Sequence, residues 1–172
     1  MSKKINLPVL PSMFDKTGAR AGSTKTGKKP TLEAARARLG GTADGEPAPT
    51  GFFPGRLVSF GEDRLGVVLH ASAAEVHVML DALRVKRLPP SYVVLLDGPL
   101  PTTLDALATD AQVFGMLSAG QHVRYAACEG GELHVGKLIE KCRYGALVAR
   151  ADGTVLAVGF RKLWPQAISS EA

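Results

Sequence analysis

Cysteine is nearly absent: Cys128 and Cys142 are the only two in 172 residues. Two thiols are too few for a disulfide scaffold, and a reducing cytoplasm is the simplest setting. No apolar run approaches the roughly 20 residues that a membrane-spanning helix needs, so no membrane partner is expected. The first residues carry charges but no apolar segment followed by a small-residue cleavage site, so no secretory signal is expected either. Aromatic residues are sparse, with one Trp and three Tyr, which leaves little from which to build an aromatic cage.

Signatures of chemistry are equally scarce. The stretch GSTKTGKK over residues 22–29 looks superficially like a phosphate-binding loop. It lacks the flanking strand and helix that give that motif its meaning. There is no G-x-S-x-G elbow and no H-E-x-x-H. The only paired carboxylates, Glu62 and Asp63, fall in an expected hairpin turn, where solvation is a simpler account than acid–base catalysis. His122, Cys128, His134 and Cys142 are zinc-ligand types within 21 residues. No C-x-x-C or H-x-x-x-H knuckle organises them, and nothing marks a base or an orienting group for a Cys–His pair. The expectation is a chain that is not an enzyme, with no metal and no cofactor.

What the chain does have is charge in one place. Residues 1–40 hold nine basic residues against two acids, a net +7. The other 132 residues therefore carry −2, since the whole chain is +5. Residues 15–31 are Gly, Ser, Thr and Lys with almost nothing apolar. Such a segment cannot bury enough surface to offset the entropy of ordering, which predicts mobility over 15–30. A short helix is predicted over 31–39, with Thr31 as N-cap, Glu33 in the first turn and Gly40 as the stop. Residues 41–50 read as a linker. At the start, Ile5, Leu7, Val9, Leu10, Met13 and Phe14 interrupt the polar background, and Pro8 and Pro11 keep the piece extended. It either docks on a partner or folds back on the body.

The rest alternates. Val58 and Phe60 share one face of a first strand, and residues 66–69 form a second. In a third, Val76, Val78 and Leu80 alternate with His77, Met79 and Asp81. In a fourth, Leu83, Val85 and Arg87 alternate with Arg84, Lys86 and Leu88. After the break at Pro89 and Pro90, residues 93–96 form a fifth. The pattern then recurs. Gly55, Val58 and Phe60 return as Gly120, Val123 and Tyr125, and Gly66 returns as Gly136. The strand at 75–80 returns at 146–149, and Asp152-Gly153 is a hairpin turn into 154–158. Between the copies, Leu104, Leu107, Ala111, Phe114 and Leu117 recur at helical spacing, which predicts a helix near 103–117 capped by Thr102 or Thr103. Its apolar stripe should pack on one or both copies.

This order of a Gly-led strand ending in an aromatic residue, a second Gly-led strand and a V-x-V third strand resembles small Src-homology-3-like barrels of the KOW and Tudor type. The resemblance covers about 90 residues in two pieces and implies two tandem barrels that bind nucleic acid or protein. The expected organisation is mainly β. A basic flexible arm and linker occupy 1–50, a first barrel 51–97, a connecting segment with the helix 98–119, and a second barrel with a short tail 120–172. The candidate phosphate contacts are Lys16, Arg20, Lys25, Lys28, Lys29, Arg36 and Arg38 on the arm, Arg84 and Lys86 on one strand face, and Arg143 beside Tyr144. Trp164 is expected to plug the second barrel. DNA or RNA is the expected partner. The alternative is an adaptor or structural subunit of a larger assembly, whose arm docks on protein.

Overall fold

The computed structural model describes residues 31–43, 45–81, 84–128 and 130–167. The expected mobility of 15–30, and Lys16, Arg20, Lys25, Lys28 and Lys29 with it, lie outside the described residues.

The fold is mainly β. Strands β1 (Leu57–Phe60), β2 (Arg64–Ala71), β3 (Val76–Asp81), β4 (Arg84–Leu88) and β5 (Val93–Leu95) form one antiparallel sheet in the order β4-β3-β2-β1-β5. Strands β6 (His122–Ala126), β7 (Leu133–Cys142), β8 (Gly145–Ala149), β9 (Val155–Gly159) and β10 (Leu163–Pro165) form the second, in the order β10-β6-β7-β8-β9. Counted from its first strand, each sheet has the same topology. In each, a single 3-10 turn precedes the last strand, at Pro90–Tyr92 and Phe160–Lys162.

The repeat holds at single-residue register. Val58 faces Gly66 across β1 and β2, and Val123 faces Gly136 across β6 and β7. A Cβ on Gly66 would run into the Val78 side chain and the Met79 carbonyl. One on Gly136 would meet the Val148 side chain and the Ala149 carbonyl. Close approach of the third strand thus demands glycine at the same point twice. Each second strand also carries one irregularity two residues further on, between Val68 and His70 and between Leu138 and Glu140. The turn at Asp152 and Gly153 forms as expected: Asp152 Oδ1 accepts from the Thr154 N–H at 2.8 Å, and Gly153 has φ +79°.

Helix α2 (Thr102–Met116) runs between the sheets and buries Leu104, Leu107, Ala108, Ala111 and Phe114. Its N-cap is Pro101, with no side-chain cap; Thr102 and Thr103 lie inside the first turn and cap nothing. Pro101, with φ fixed at −57° and an extended ψ of 140°, takes the cap position, so the helix starts one residue earlier than a Thr102 cap would give. The stripe packs on both sheets. One apolar core joins α2 to Leu57, Val67, Leu69 and Met79 of the first sheet and to Val123, Tyr125, Leu138, Val148 and Phe160 of the second. The other face of the first sheet has its own core of Val58, Phe60, Val68, Val76, Val78 and Val93. Both faces of β3 are therefore covered, and the alternation there does not mark a solvent side: His77 is completely buried.

Helix α1 (Leu32–Arg38) is the predicted short helix. Thr31 Oγ1 accepts from the Ala34 N–H, and Gly40 and Gly41 end it in the left-handed region. It does not stand apart from the body. Ala35 and Leu39 pack on Cys142 and Leu147, against Val155 and Ala157. The chain beyond is also tied down, Thr42 to Cys142 and Pro47 to Ser72. Trp164 is not the plug of the second sheet. The 3-10 turn sets the parity so that Leu163, opposite Tyr125, points into the core and Trp164 points out.

Candidate functional site

Of the cations read as phosphate contacts, Arg84 and Lys86 stand exposed on β4, an edge strand. Arg87 is exposed beside them. Arg84 is held by Asp81, with its Nε 2.8 Å from Oδ2. Lys86 Nζ lies 5.3 Å from the centre of the Phe60 ring. Two other candidates are engaged with the protein. Arg36 Nε donates to both oxygens of Glu140 at 2.8 and 2.9 Å, which fixes α1 to β7. Arg143 is half-buried, and its Nη1 donates to the Gly40 carbonyl at 3.1 Å. Arg38 is exposed at the end of α1. Further cations serve as struts: Lys141 Nζ donates to the Gly115 carbonyl and lies 4.8 Å from the Phe114 ring centre, and Arg161 pairs with Asp110. Burial pushes the Lys141 ammonium below its ordinary pKa.

A polar cluster sits where the two sheets meet, around a residue that sequence reasoning placed on a plain alternating strand. His77 Nε2 lies 2.7 Å from Glu75 Oε1, and its Nδ1 lies 2.8 Å from Tyr144 Oη. A carboxylate only accepts, so Nε2–H donates to Glu75 and the Tyr144 hydroxyl donates to Nδ1. His70 meets the His77 ring edge-on at 5.3 Å. Desolvation pushes His77 below its ordinary pKa and His70 down to about 4. The hydrogen bond from His77 holds the Glu75 carboxyl below its usual range. A carboxylate–imidazole–phenol chain could in principle relay a proton. Here the imidazole is fully buried between the sheets and has no open face for a substrate. Its geometry is that of a latch between the halves. One signal in the sequence pointed to it: Met79 shares the face of His77, and a methionine there argues against water on that side.

His122, Cys128, His134 and Cys142 do not come together. His122 is exposed opposite Lys137, and His134 lies beside the Tyr125 ring at 5.7 Å. Cys128 is exposed, and Cys142 is buried under α1, which raises its thiol pKa. Among the described residues no group of three or more His, Cys, Asp or Glu is placed to hold a metal ion. No helix among them is long and apolar enough to cross a membrane.

No protein-family model matches the chain, and no curated protein matches it.

Proposed function

We propose that the chain is a non-enzymatic, nucleic-acid-associated binding protein of the cytoplasm, built on two small Src-homology-3-like barrels. The observation that carries this reading is where free cationic charge remains. Arg36, Arg56, Arg84 and Arg161 are paired with carboxylates, and Lys141 and Arg143 are bound to main-chain carbonyls. By formal count residues 31–172 carry −1, and the first 30 residues hold seven basic residues against one acid. A basic arm on a neutral, compact body suits contacts that position a polyanion without reading its sequence. Edge strand β4, with Arg84, Lys86 and Arg87, adds a second, weaker contact.

A salt titration against duplex DNA, single-stranded DNA and RNA tests it. On duplex DNA each phosphate neutralised contributes about −0.9 to the slope of log affinity against log salt. Deleting residues 1–30 leaves the docked α1 intact and should flatten that slope by about three to five units. Full-length protein that binds none of the three ends the reading.

A second reading has its own observation. Edge strand β5 and its neighbours expose Tyr92, Val94 and Leu65, at 70%, 59% and 40%. An apolar open edge suits strand addition by a protein partner, which is the adaptor alternative. Capture of a defined partner that survives high salt, with no nucleic-acid binding, favours it.

A further inference from the structure

The two halves can be compared position by position, because they share one register. On the first sheet, Leu57 faces Val67, and Ser59 faces both Leu65 and Val94. The same positions of the second sheet are His122 facing Lys137, and Arg124 facing both Val135 and Trp164. Directly opposed residues of an antiparallel pair share a face. The two faces are geometrically equivalent, and their chemistry has diverged.

On the first sheet the Leu57–Val67 pair of this face is buried in the core shared with α2, while Leu65 and Val94 are exposed; every member is neutral. On the second sheet, α1 covers the face at Leu147, Val155 and Ala157 and at the Glu140–Cys142 end of β7. The β10-β6 end, with the Leu133–Lys137 half of β7, is open. His122, Arg124, Leu133, Val135 and Lys137 are exposed, and Trp164 is partly exposed. None of these positions carries a carboxylate, and neither Arg124 nor Lys137 has an ion-pair partner among the described residues. Elsewhere Arg36, Arg56, Arg84 and Arg161 are each paired with a carboxylate. Here two cations, an imidazole and the chain's only tryptophan stand together without an acid.

We propose that this face is a binding platform for an unpaired strand of nucleic acid, with a base stacked on Trp164 and phosphates at Arg124 and Lys137. The proposal rests on the nucleic-acid reading above and names where and in what form the ligand is held. An aromatic ring flanked by cations is the combination that single strands use, because every unpaired base offers a flat π-face. A duplex keeps those faces stacked inside and offers Trp164 nothing to stack on. Three strands span only about 10 Å. The platform therefore holds a few nucleotides, and the arm supplies the rest of the affinity.

Trp164 is its own reporter, since it is the sole tryptophan. Titration with a 15-nucleotide oligo-dT or oligo-rU should quench its emission, and a duplex of equal length should leave the emission unchanged. Followed by fluorescence anisotropy of a labelled strand, Trp164→Ala should weaken single-strand binding about five- to hundredfold, while Trp164→Phe stays within about threefold of wild type. Arg124→Ala with Lys137→Ala, both at exposed positions, should reduce the single-strand salt slope by about 1.4 units. Strong single-strand binding with unquenched Trp164 and wild-type affinity in all these variants overturns the platform and leaves the nucleic-acid reading standing. A shift of free-protein Trp164 emission on deleting residues 1–30 overturns it too, because the chain's own arm would then occupy the face. Absence of binding to any nucleic acid removes both.

Discussion

Two tyrosine hydroxyls, both close to the core, have opposite standing. That of Tyr144 donates to His77 Nδ1 across the junction of the sheets. That of Tyr125 is buried with no hydrogen-bond partner among the described residues. Removing a hydroxyl that satisfies a buried acceptor strands that acceptor, whereas removing an unsatisfied one relieves a desolvation penalty. Tyr144→Phe should therefore destabilise the protein by about 1–2 kcal/mol, and Tyr125→Phe should be neutral or stabilising by up to about 1 kcal/mol. Urea unfolding of the two variants beside wild type checks both signs. The pair also shows what a sequence can and cannot convey. Tyr125 was readable as core from its alternation with Val123. The partner of Tyr144 was not, because it lies 67 residues away on the other half.

At the scale of elements, local rules carried far. Strand alternation, the Asp152-Gly153 turn, the helical stripe of α2 and the Thr31 cap all depend on neighbours within a few residues, and all were legible. Thr31→Ala should cost about 1 kcal/mol, because the Ala34 N–H loses its acceptor. The loss should appear in hydrogen exchange as faster exchange of α1 amides, with β2 and β3 unaffected. What stayed hidden is where elements go. No periodicity in residues 31–43 announces that α1 covers β8 and β9, or that Arg36 meets Glu140. The strand after the 3-10 turn likewise points Leu163 inward and Trp164 outward, against the expectation that the large aromatic residue would plug the core. The open face on the second sheet was legible in part: with Val123 and Tyr125 in the core, His122 and Arg124 turn to solvent, whereas Trp164 and Lys137 beside them depend on the register between strands. The candidate phosphate contacts fared accordingly. Arg84 and Lys86 were recognisable as one strand face, but Arg143 is turned inward by a carbonyl in a loop a hundred residues earlier.

The whole molecule answers to pH through its junction. His70 and His77 are both pushed below the ordinary imidazole pKa by burial; His77, Arg143 and Lys141 add repulsion at His70, and Arg143 and Arg87 at His77, against Glu75 alone. A folded-state pKa below the unfolded one means that the unfolded chain binds more protons as pH falls. The stability these groups contribute is therefore complete above about pH 6.5 and is lost as pH falls from there toward about 4, where His70 titrates. The depressed Glu75 carboxyl works in the same direction, at lower pH. The urea midpoint should fall steadily over that window, and His70→Gln should make the fall shallower. A midpoint that stays level from pH 7 to 5 contradicts this account. Because one core runs through both sheets and α2, the loss should appear as a single transition, with no separate melting of either half.

The clasp of α1 on the second sheet also has a consequence in time. Arg36 leaves the ribosome 104 residues before the Glu140 that it will hold. At roughly 5–20 residues per second, that is a wait of about 5–20 s. Throughout it Ala35 and Leu39 have nothing to cover, and β9, which lies beneath them, is made later still. The first segment of the body to be synthesised is thus among the last to reach its place. A nascent chain stalled before residue 145 should leave α1 open to protease, and one released past residue 165 should not.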